Sequence, residues 1–144
     1  MSRGAGLAAG ILLLAVGSSL PACDSRSRDA RAALSPAEQA LFDRGAQATV
    51  ECWSCHDFYS DETRIGPGLQ GVMGRRAGAV DGFAYSEALR SSGIVWSPGT
   101  LSAYLASPQT AVPGTTMVWR GVGDPGTLRA MVFWIEAITR PPAP

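Results

Sequence analysis

Apolar residues along this chain recur at helical spacing in short stretches, which are separated by runs rich in glycine and proline. The clearest pattern lies near the C-terminus, where apolar residues stand three or four positions apart: Leu128, Met131, Ile135 and Ile138. This spacing predicts a helix with one buried face. Asp124-Pro125 is a typical helix start, and Pro141-Pro142 should end the helix.

Three further helices are predicted from the residues at their ends. Ser35-Pro36-Ala37-Glu38 is a capping box with proline at the first helical position, and this helix should run to about Val50. A second, over residues 86–92, should stop at the glycine that follows, and a third should run from Ser97-Pro98 to Pro108. Because no alternating apolar run is long enough for a strand, the predicted fold class is all-α.

The chain is long enough for one domain with one core, which we place at residues 34–140. Two long segments, 58–85 and 109–123, lie between the predicted helices and are expected to be loops. Loops of that length are uncommon inside a compact domain. We therefore expect them to wrap around something that is not protein.

The N-terminus is typical of an export signal. Arg3 precedes an apolar run from Leu7 to Gly17, which is shorter than the roughly 20 residues that span a bilayer. Leu20-Pro21-Ala22-Cys23 is similar to a lipoprotein cleavage site, and Cys23 would then be the lipidated first residue of the mature chain. Cleavage after Ser19 or after Ala22, and an uncleaved anchor, are the alternatives.

All of these alternatives place the domain outside the cytoplasmic membrane, on its periplasmic side. We predict a signal peptide over residues 1–22 and a solvated tether over residues 23–33, which is lipid-anchored through Cys23 or free. The twelve basic residues, all arginine, balance twelve acidic ones. No excess of positive charge therefore points to nucleic acid as a partner.

The candidate chemistry is concentrated in Cys52-Trp53-Ser54-Cys55-His56, the pattern through which haem c is attached. Residues three apart share a face of a helical turn, so both thiols can reach the two vinyl groups at one porphyrin edge. His56 then presents a ring nitrogen to the iron. A structural zinc site would need four ligands, and a thioredoxin-type CxxC would need a βαβ setting. The sequence supplies neither, and we predict one haem c bound covalently via Cys52 and Cys55.

Several candidates exist for the opposite side of the iron. The chain has one histidine and no lysine, which leaves methionine, tyrosine, cysteine, water or no ligand. Met131 lies on the apolar face of the last helix and Met73 in a glycine-rich turn, so packing is the simpler role for both. Met117 ends an irregular loop that the preceding helix can deliver to the far face of the haem.

From Cys52 to about Ile138 the chain resembles a class I cytochrome c of the soluble mitochondrial and bacterial type. The stretches that carry the resemblance are Ile65-Gly66-Pro67-Gly68-Leu69-Gln70-Gly71, Gly82-Phe83-Ala84-Tyr85-Ser86, Gly93-Ile94-Val95-Trp96, and the segment from Leu101 to Met117. The resemblance implies the class I cytochrome c fold, with short helices and long loops wrapped around one haem. It also favours Met117 over the other methionines as the sixth iron ligand.

The resemblance further implies roles for residues around the haem. The carbonyl of Pro67 would bind the ring of the proximal His56 and fix its orientation. The residues implied to hold the haem propionates are Arg75, Tyr85 and Trp96. Those implied to hydrogen-bond near the methionine sulfur and the inner propionate are Tyr104 and Thr115.

The chain departs from the family where its first and last helices should cross. Family members usually carry a glycine and, one turn later, an aromatic residue that packs against an aromatic of the last helix. Here Gly45 lies one residue closer to Cys52 than usual, and Ala48 takes the place of the aromatic. We therefore expect Trp134 of the last helix to pack against Ala48.

Together these features predict a carrier of single electrons, not an enzyme, with a low-spin haem ligated by His56 and Met117. It should work as a monomer between membrane redox complexes that serve as electron donor and acceptor. Two alternatives stay open. One is a haem-based peroxidase or gas sensor with an open sixth position, and the other is a haem subunit of a larger dehydrogenase or oxidase.

The surface that meets a redox partner should differ from that of the resembling family, in which lysines commonly surround the exposed haem edge. The corresponding positions here carry no positive charge: Glu51, Gln109, Thr110, Thr116, Gly123 and Asp124. Arg120 is the only base expected nearby. We therefore expect a brief, mostly apolar contact through Val112, Val118 and Trp119.

Overall fold

A computed structural model describes residues 22–141, and the side chains of residues 25–141. Its helices in chain order are α1 (Ala22–Ala32), α2 (Pro36–Ala48), a 3-10 helix (Val50–Ser54), α3 (Glu87–Ser91), α4 (Pro98–Ala106), α5 (Pro108–Ala111) and α6 (Pro125–Thr139). The described residues form no strand, and the only β-type pairing among them is an isolated bridge between Arg76 and Val95. The all-α prediction is confirmed.

The predicted start signals cap the helices as expected. The Ser35 hydroxyl accepts a hydrogen bond from the Glu38 amide, and the Glu38 carboxylate accepts one from the Ser35 amide, so the capping box of α2 is complete. Asp124 caps α6 in the same way by accepting from the amide of Thr127. The differences from the prediction lie at the C-terminal ends. α2 ends at Ala48, and a 3-10 helix begins at Val50. α4 ends at Ala106, and Pro108 starts the short α5.

The core lies where α6 packs across α2, and the four predicted apolar residues of α6 are all buried. Gly45 permits the close crossing, because a Cβ at this position would overlap the carbonyl oxygen of Ala130 and lie 2.6 Å from the Cβ of Trp134. Trp134 also joins an aromatic cluster that the sequence did not predict, and its packing against Ala48 stays a prediction. The ring of Trp134 has its centroid 6.4 Å from that of Phe42 and 4.9 Å from that of Phe58. In α2 the aromatic residue at the crossing, Phe42, therefore comes before Gly45, not after it.

The prediction of a solvated tether over residues 23–33 is wrong in conformation, because this segment forms α1. Arg31 donates two hydrogen bonds to the carboxylate of Asp43 on α2, at 2.6 and 2.7 Å. Arg26 donates to the carbonyl of Tyr59 at 3.0 Å, and its guanidinium lies over the ring of that residue. The sequence showed no apolar periodicity here, and two arginine side chains supply hydrogen bonds that hold the helix against the rest of the domain.

Residues 1–21 of the predicted signal peptide and the Cys23 side chain lie outside the described residues, so their predicted roles stay predictions. Of the helices between residues 22 and 141, none has the length and apolar character needed to cross a bilayer.

Candidate functional site

A cavity of about 340 Å³ lies between the Cys52–His56 motif, the loop that follows it, α4 and the segment around Met117. The structure brings all ten residues that the sequence predicted for cofactor binding to the lining of this cavity: Cys52, Cys55, His56, Pro67, Arg75, Tyr85, Trp96, Tyr104, Thr115 and Met117. Most of the remaining walls are apolar, and include Phe58, Leu69, Val72, Leu89, Leu101, Leu105 and Ile135. Such walls favour a large apolar ligand with few polar groups.

His56 is held by the loop that follows it. Its Nδ1 lies 2.8 Å from the carbonyl oxygen of Pro67. Because a carbonyl only accepts, Nδ1 must carry the hydrogen, and in the neutral ring Nε2 keeps a free lone pair. Burial lowers the pKa of His56, although the bond to Pro67 partly opposes this effect. The neutral ring is the form that can bind a metal ion.

Gly66 lies directly against the imidazole. A Cβ at this position would overlap Cε1 of His56 and stand 2.7 Å from Nδ1. The amide of Gly66 also donates to the carbonyl of Cys55 at 2.8 Å, which holds this loop against the motif. The Gly66-Pro67 pair therefore fixes both the position and the tautomer of the ring.

Neither cysteine of the motif forms a disulfide, and both line the cavity. The amides of Cys55 and His56 both donate to the carbonyl of Cys52, at 3.1 and 2.9 Å, which closes a tight turn. This turn places the two sulfurs and the imidazole on the wall of a single cavity. Before attachment, burial raises the pKa of the Cys52 thiol to about 11, so that an unattached thiol at this position is neutral.

Asp57, which the sequence reasoning did not single out, orders the chain immediately after His56. Its Oδ1 accepts from the amides of Tyr59 and Ser60 at 2.8 and 2.9 Å, and its Oδ2 pairs with Arg64 at 2.8 Å. Burial works to raise the pKa of Asp57, but these hydrogen bonds and the charge of Arg64 outweigh it and lower the pKa. An aspartate two residues before a turn amide is a recognisable signal for such a turn.

One wall of the cavity is formed by α4 and by the loop after α5, which contains Met117. The hydroxyls of Tyr104 and Thr115 are 2.6 Å apart and buried, and the amide of Met117 lies 3.5 Å from the Thr115 hydroxyl. Met117 is the only methionine among the described residues that lines the cavity. Met73 and Met131 pack in the surrounding core, as the sequence predicted.

The residues implied to hold propionates lie along another part of the wall. The guanidinium of Arg75 is fixed by the carbonyls of Gly68 and Gln70, at 2.7 and 3.0 Å, and its side chain is only 19% exposed. Trp96 packs edge-on against Tyr104, and burial raises the pKa of Tyr85. This region supplies N–H and O–H donors at the boundary of an otherwise apolar cavity.

The exposed residues that line the cavity mouth are called the rim: Glu51, Ser54, Ile65, Thr116 and Val118. Val118 is fully exposed and Ile65 is 76% exposed, so the rim carries two large aliphatic side chains. Arg120 pairs with Glu51 at 3.7 Å. The expectation that Val112 contributes to this surface is wrong, because Val112 is buried in the core.

The donor set and the shape of the site fit one kind of cofactor. Two thiols three residues apart, a neutral imidazole with a free Nε2 and a thioether line one apolar cavity with a polar boundary. These are the groups that attach and ligate a haem. The fold and the site define a small all-α protein that holds a covalently attached haem.

Comparisons with known proteins agree. The chain is 37% identical over 87 residues to cytochrome c2 iso-2 of Magnetospirillum molischianum, a match that covers 60% of this chain and 90% of the relative. It is 33% identical over 106 residues to cytochrome c2 of Blastochloris viridis, covering 73% of this chain and 84% of the relative. The structure is similar to cytochrome cH from Methylobacterium extorquens, with a TM-score of 0.61, 38% identity, and coverage of 65% and 95%. No protein-family model matches the chain.

The chain therefore belongs to the class I cytochrome c family. It carries a haem c attached covalently through Cys52 and Cys55. It is an electron-transfer protein and not an enzyme.

Proposed function

We propose that His56 and Met117 are the two axial ligands of a low-spin haem, and that the protein passes single electrons between membrane-associated complexes on the periplasmic side. The observation that carries this proposal is the placement of the two side chains on one cavity. His56 has its Nδ1 engaged by Pro67 and its Nε2 free, while Met117 lines the same cavity.

When bound, the haem supplies an iron that gains and loses one electron. The chain's own residues set the balance between the oxidised and the reduced form and hold the proposed ligands in place. A thioether on the second axial position raises the reduction potential relative to other ligand sets. Apolar walls act in the same direction, because they disfavour the extra positive charge of the oxidised form. Arg75, Tyr85 and Trp96 are proposed to hold the propionates, and the Tyr104–Thr115 pair is proposed to hold the inner propionate and steady the Met117 loop.

An absorption spectrum of the oxidised protein, followed by a redox titration, tests the axial pair. A low-spin spectrum with a methionine–iron charge-transfer band is expected, together with a ferrous form that does not bind carbon monoxide. A high-spin oxidised spectrum, or rapid carbon monoxide binding, would show an open position and favour a peroxidase or sensor. Gel filtration of a native membrane extract separates a free monomeric carrier from a haem subunit of a larger complex.

The rim is proposed to be the surface that meets the donor and acceptor complexes. It combines two exposed aliphatic side chains with one acidic group, Glu51, which pairs with Arg120. An exposed ion pair of this kind adds little attraction in water. Contact should therefore depend on apolar burial, with only weak electrostatic steering.

Export and attachment to the membrane are proposed from the N-terminal sequence. The apolar run after Arg3 is typical of a signal peptide, and Cys23 is the proposed site of lipid attachment. Confinement to the membrane surface would raise the effective concentration near a membrane partner. Membrane fractionation of wild type and Cys23→Ala tests this step: release of the variant with unchanged haem content supports lipidation. Equal membrane retention of both proteins would exclude it.

A further inference from the structure

The segment that follows Met117 is joined to the C-terminal end of α4 by two hydrogen bonds. Beyond Met117, the next backbone–backbone hydrogen bond among the described residues is at Val122, whose amide donates to the carbonyl of Leu105 at 3.1 Å. Between these points, the indole Nε1–H of Trp119 donates to the same carbonyl, also at 3.1 Å. Apart from the exposed pair of Arg120 with Glu51, Trp119 is therefore the residue that anchors this stretch.

The carbonyl of Leu105 is suited to accept both bonds. It is one of the last four carbonyls of α4, which have no partner within the helix. Leu105 is buried, so water cannot easily satisfy this oxygen. A buried carbonyl without a partner is costly, and the two loop donors remove that cost only while the loop lies against α4.

Gly121 allows the loop to approach this closely. It has a φ of +87°, and a Cβ at this position would overlap the carbonyl oxygen of Ala106. Only glycine adopts this conformation easily and leaves room for the helix end. The contact between the loop and α4 is therefore direct, backbone against backbone.

α4, together with Gln109 of α5, also holds the chain just before Met117. The Tyr104 hydroxyl pairs with the Thr115 hydroxyl at 2.6 Å, and the carbonyl of Thr115 accepts from the side chain of Gln109 at 2.7 Å. Adjacent residues of α4 thus anchor the chain two residues before Met117, through Thr115, and two residues after it, through Trp119.

We infer that Trp119 is a positioning residue for Met117: its indole N–H keeps the loop closed on α4 and so opposes displacement of the thioether by an outside ligand. This inference rests on the proposed ligation by Met117. A phenylalanine in place of Trp119 would keep an aromatic ring at the cavity wall but could not donate the hydrogen bond.

The test is imidazole binding to the oxidised holoprotein, followed by its absorption spectrum in wild type and Trp119→Phe. Loss of one hydrogen bond that holds the closed loop should tighten apparent imidazole binding about fivefold, because the closed form competes with the added ligand. Gly121→Ala attacks the same contact from the backbone and should tighten binding at least as much. The melting temperature of each holoprotein is measured in parallel.

Trp134→Phe is the matched control. It is the same substitution in a buried indole whose Nε1 has no hydrogen-bond partner among the described residues and which does not line the cavity. It should lower the melting temperature and leave imidazole affinity at the wild-type value. A change in imidazole affinity that merely follows global stability would therefore appear in this control as well.

The outcomes separate the two proposals. Tighter imidazole binding in Trp119→Phe but not in Trp134→Phe supports the positioning role. A wild-type methionine charge-transfer band with unchanged imidazole affinity in Trp119→Phe overturns the positioning role alone. A wild type without that band overturns ligation by Met117, and the positioning role with it.

Discussion

The Nδ1 of His56 and the carbonyl oxygen of Pro67 lie 2.8 Å apart, with Gly66 pressed against the same imidazole ring. The hydrogen bond selects the tautomer, and the glycine leaves space for the ring to take its position. Backbone atoms do both, so ring orientation depends on how the loop from Asp57 to Pro67 is folded. The carboxylate of Asp57, bound by two amides and by Arg64, holds the beginning of that loop.

Gly66→Ala should displace the His56 ring, because the added methyl group would overlap it. We expect a loss of about 1–3 kcal/mol in the free energy of unfolding of the holoprotein, the usual range for an overpacked site. A shifted reduction potential should accompany this loss. Denaturant unfolding and a redox titration measure the two effects. Gly123→Ala is the control, since a Cβ there meets no atom within 4 Å; equal behaviour of the two variants would contradict the prediction.

Met117→Ala should lower the reduction potential and open a site that binds carbon monoxide in the reduced state, because the variant lacks the proposed thioether ligand. Optical titration under carbon monoxide measures both. Met73→Leu and Met131→Leu are the controls, since neither methionine lines the cavity and both should behave as wild type. If Met73→Leu abolishes the methionine charge-transfer band while Met117→Ala keeps it, the ligand has been misassigned.

Electron transfer from the reduced protein to hexacyanoferrate(III) should respond to charge placed on the rim. Val118→Lys puts a positive charge at a fully exposed rim position, which should raise the bimolecular rate about threefold at 0.01 M ionic strength. The gain should shrink toward 0.15 M as the charges are screened. Stopped-flow mixing across this range measures it.

Val95→Lys is the control for that experiment, because Val95 is exposed but does not line the cavity. Similar acceleration in both variants would mean that the rim is not where electrons leave. With the native partner, the wild-type rate should change little with salt, and a steep fall would argue for a basic docking patch elsewhere.

Trp134→Ala should cost about 3–5 kcal/mol in the free energy of unfolding, because it removes a large side chain at the crossing of α2 and α6. Its neighbours Phe42 and Phe58 would be left around a cavity. Denaturant unfolding of the holoprotein measures the loss. Phe133→Ala, in a half-buried neighbour, should cost clearly less. A loss below about 1 kcal/mol for Trp134→Ala would place the main helix contact elsewhere.

Helix starts, the haem motif and the composition of the site were predictable because each is encoded by neighbouring residues. A capping box joins residues three apart, and the cysteines and histidine of the motif lie within five positions, so short-range geometry is enough to interpret them. The family resemblance added the residues from Pro67 to Met117 that now share one cavity.

The docking of α1 was not predictable in this way. Its sequence has no apolar periodicity, and the contacts that hold it join Arg31 to Asp43 and Arg26 to Tyr59. From sequence alone, a charged side chain in a polar segment is predicted to be solvated, because the position of the group that it binds is unknown. Only the folded chain supplies that position.

The sequence by itself determined the fold class, the starts of α2, α3, α4 and α6, the covalent haem attachment and the placement of Met117 at the end of a loop, since these follow from local pattern and motif. The tertiary structure decided that Phe42 and Gly45 meet Trp134, that Val112 is buried in the core, and that Trp119 reaches the carbonyl of Leu105. Each of these contacts joins side chains or backbone atoms far apart along the chain, and the way the loops close around the cavity determines which groups meet. Loop closure cannot be predicted from local pattern, because the free energy that favours it comes from tertiary packing and buried hydrogen bonds.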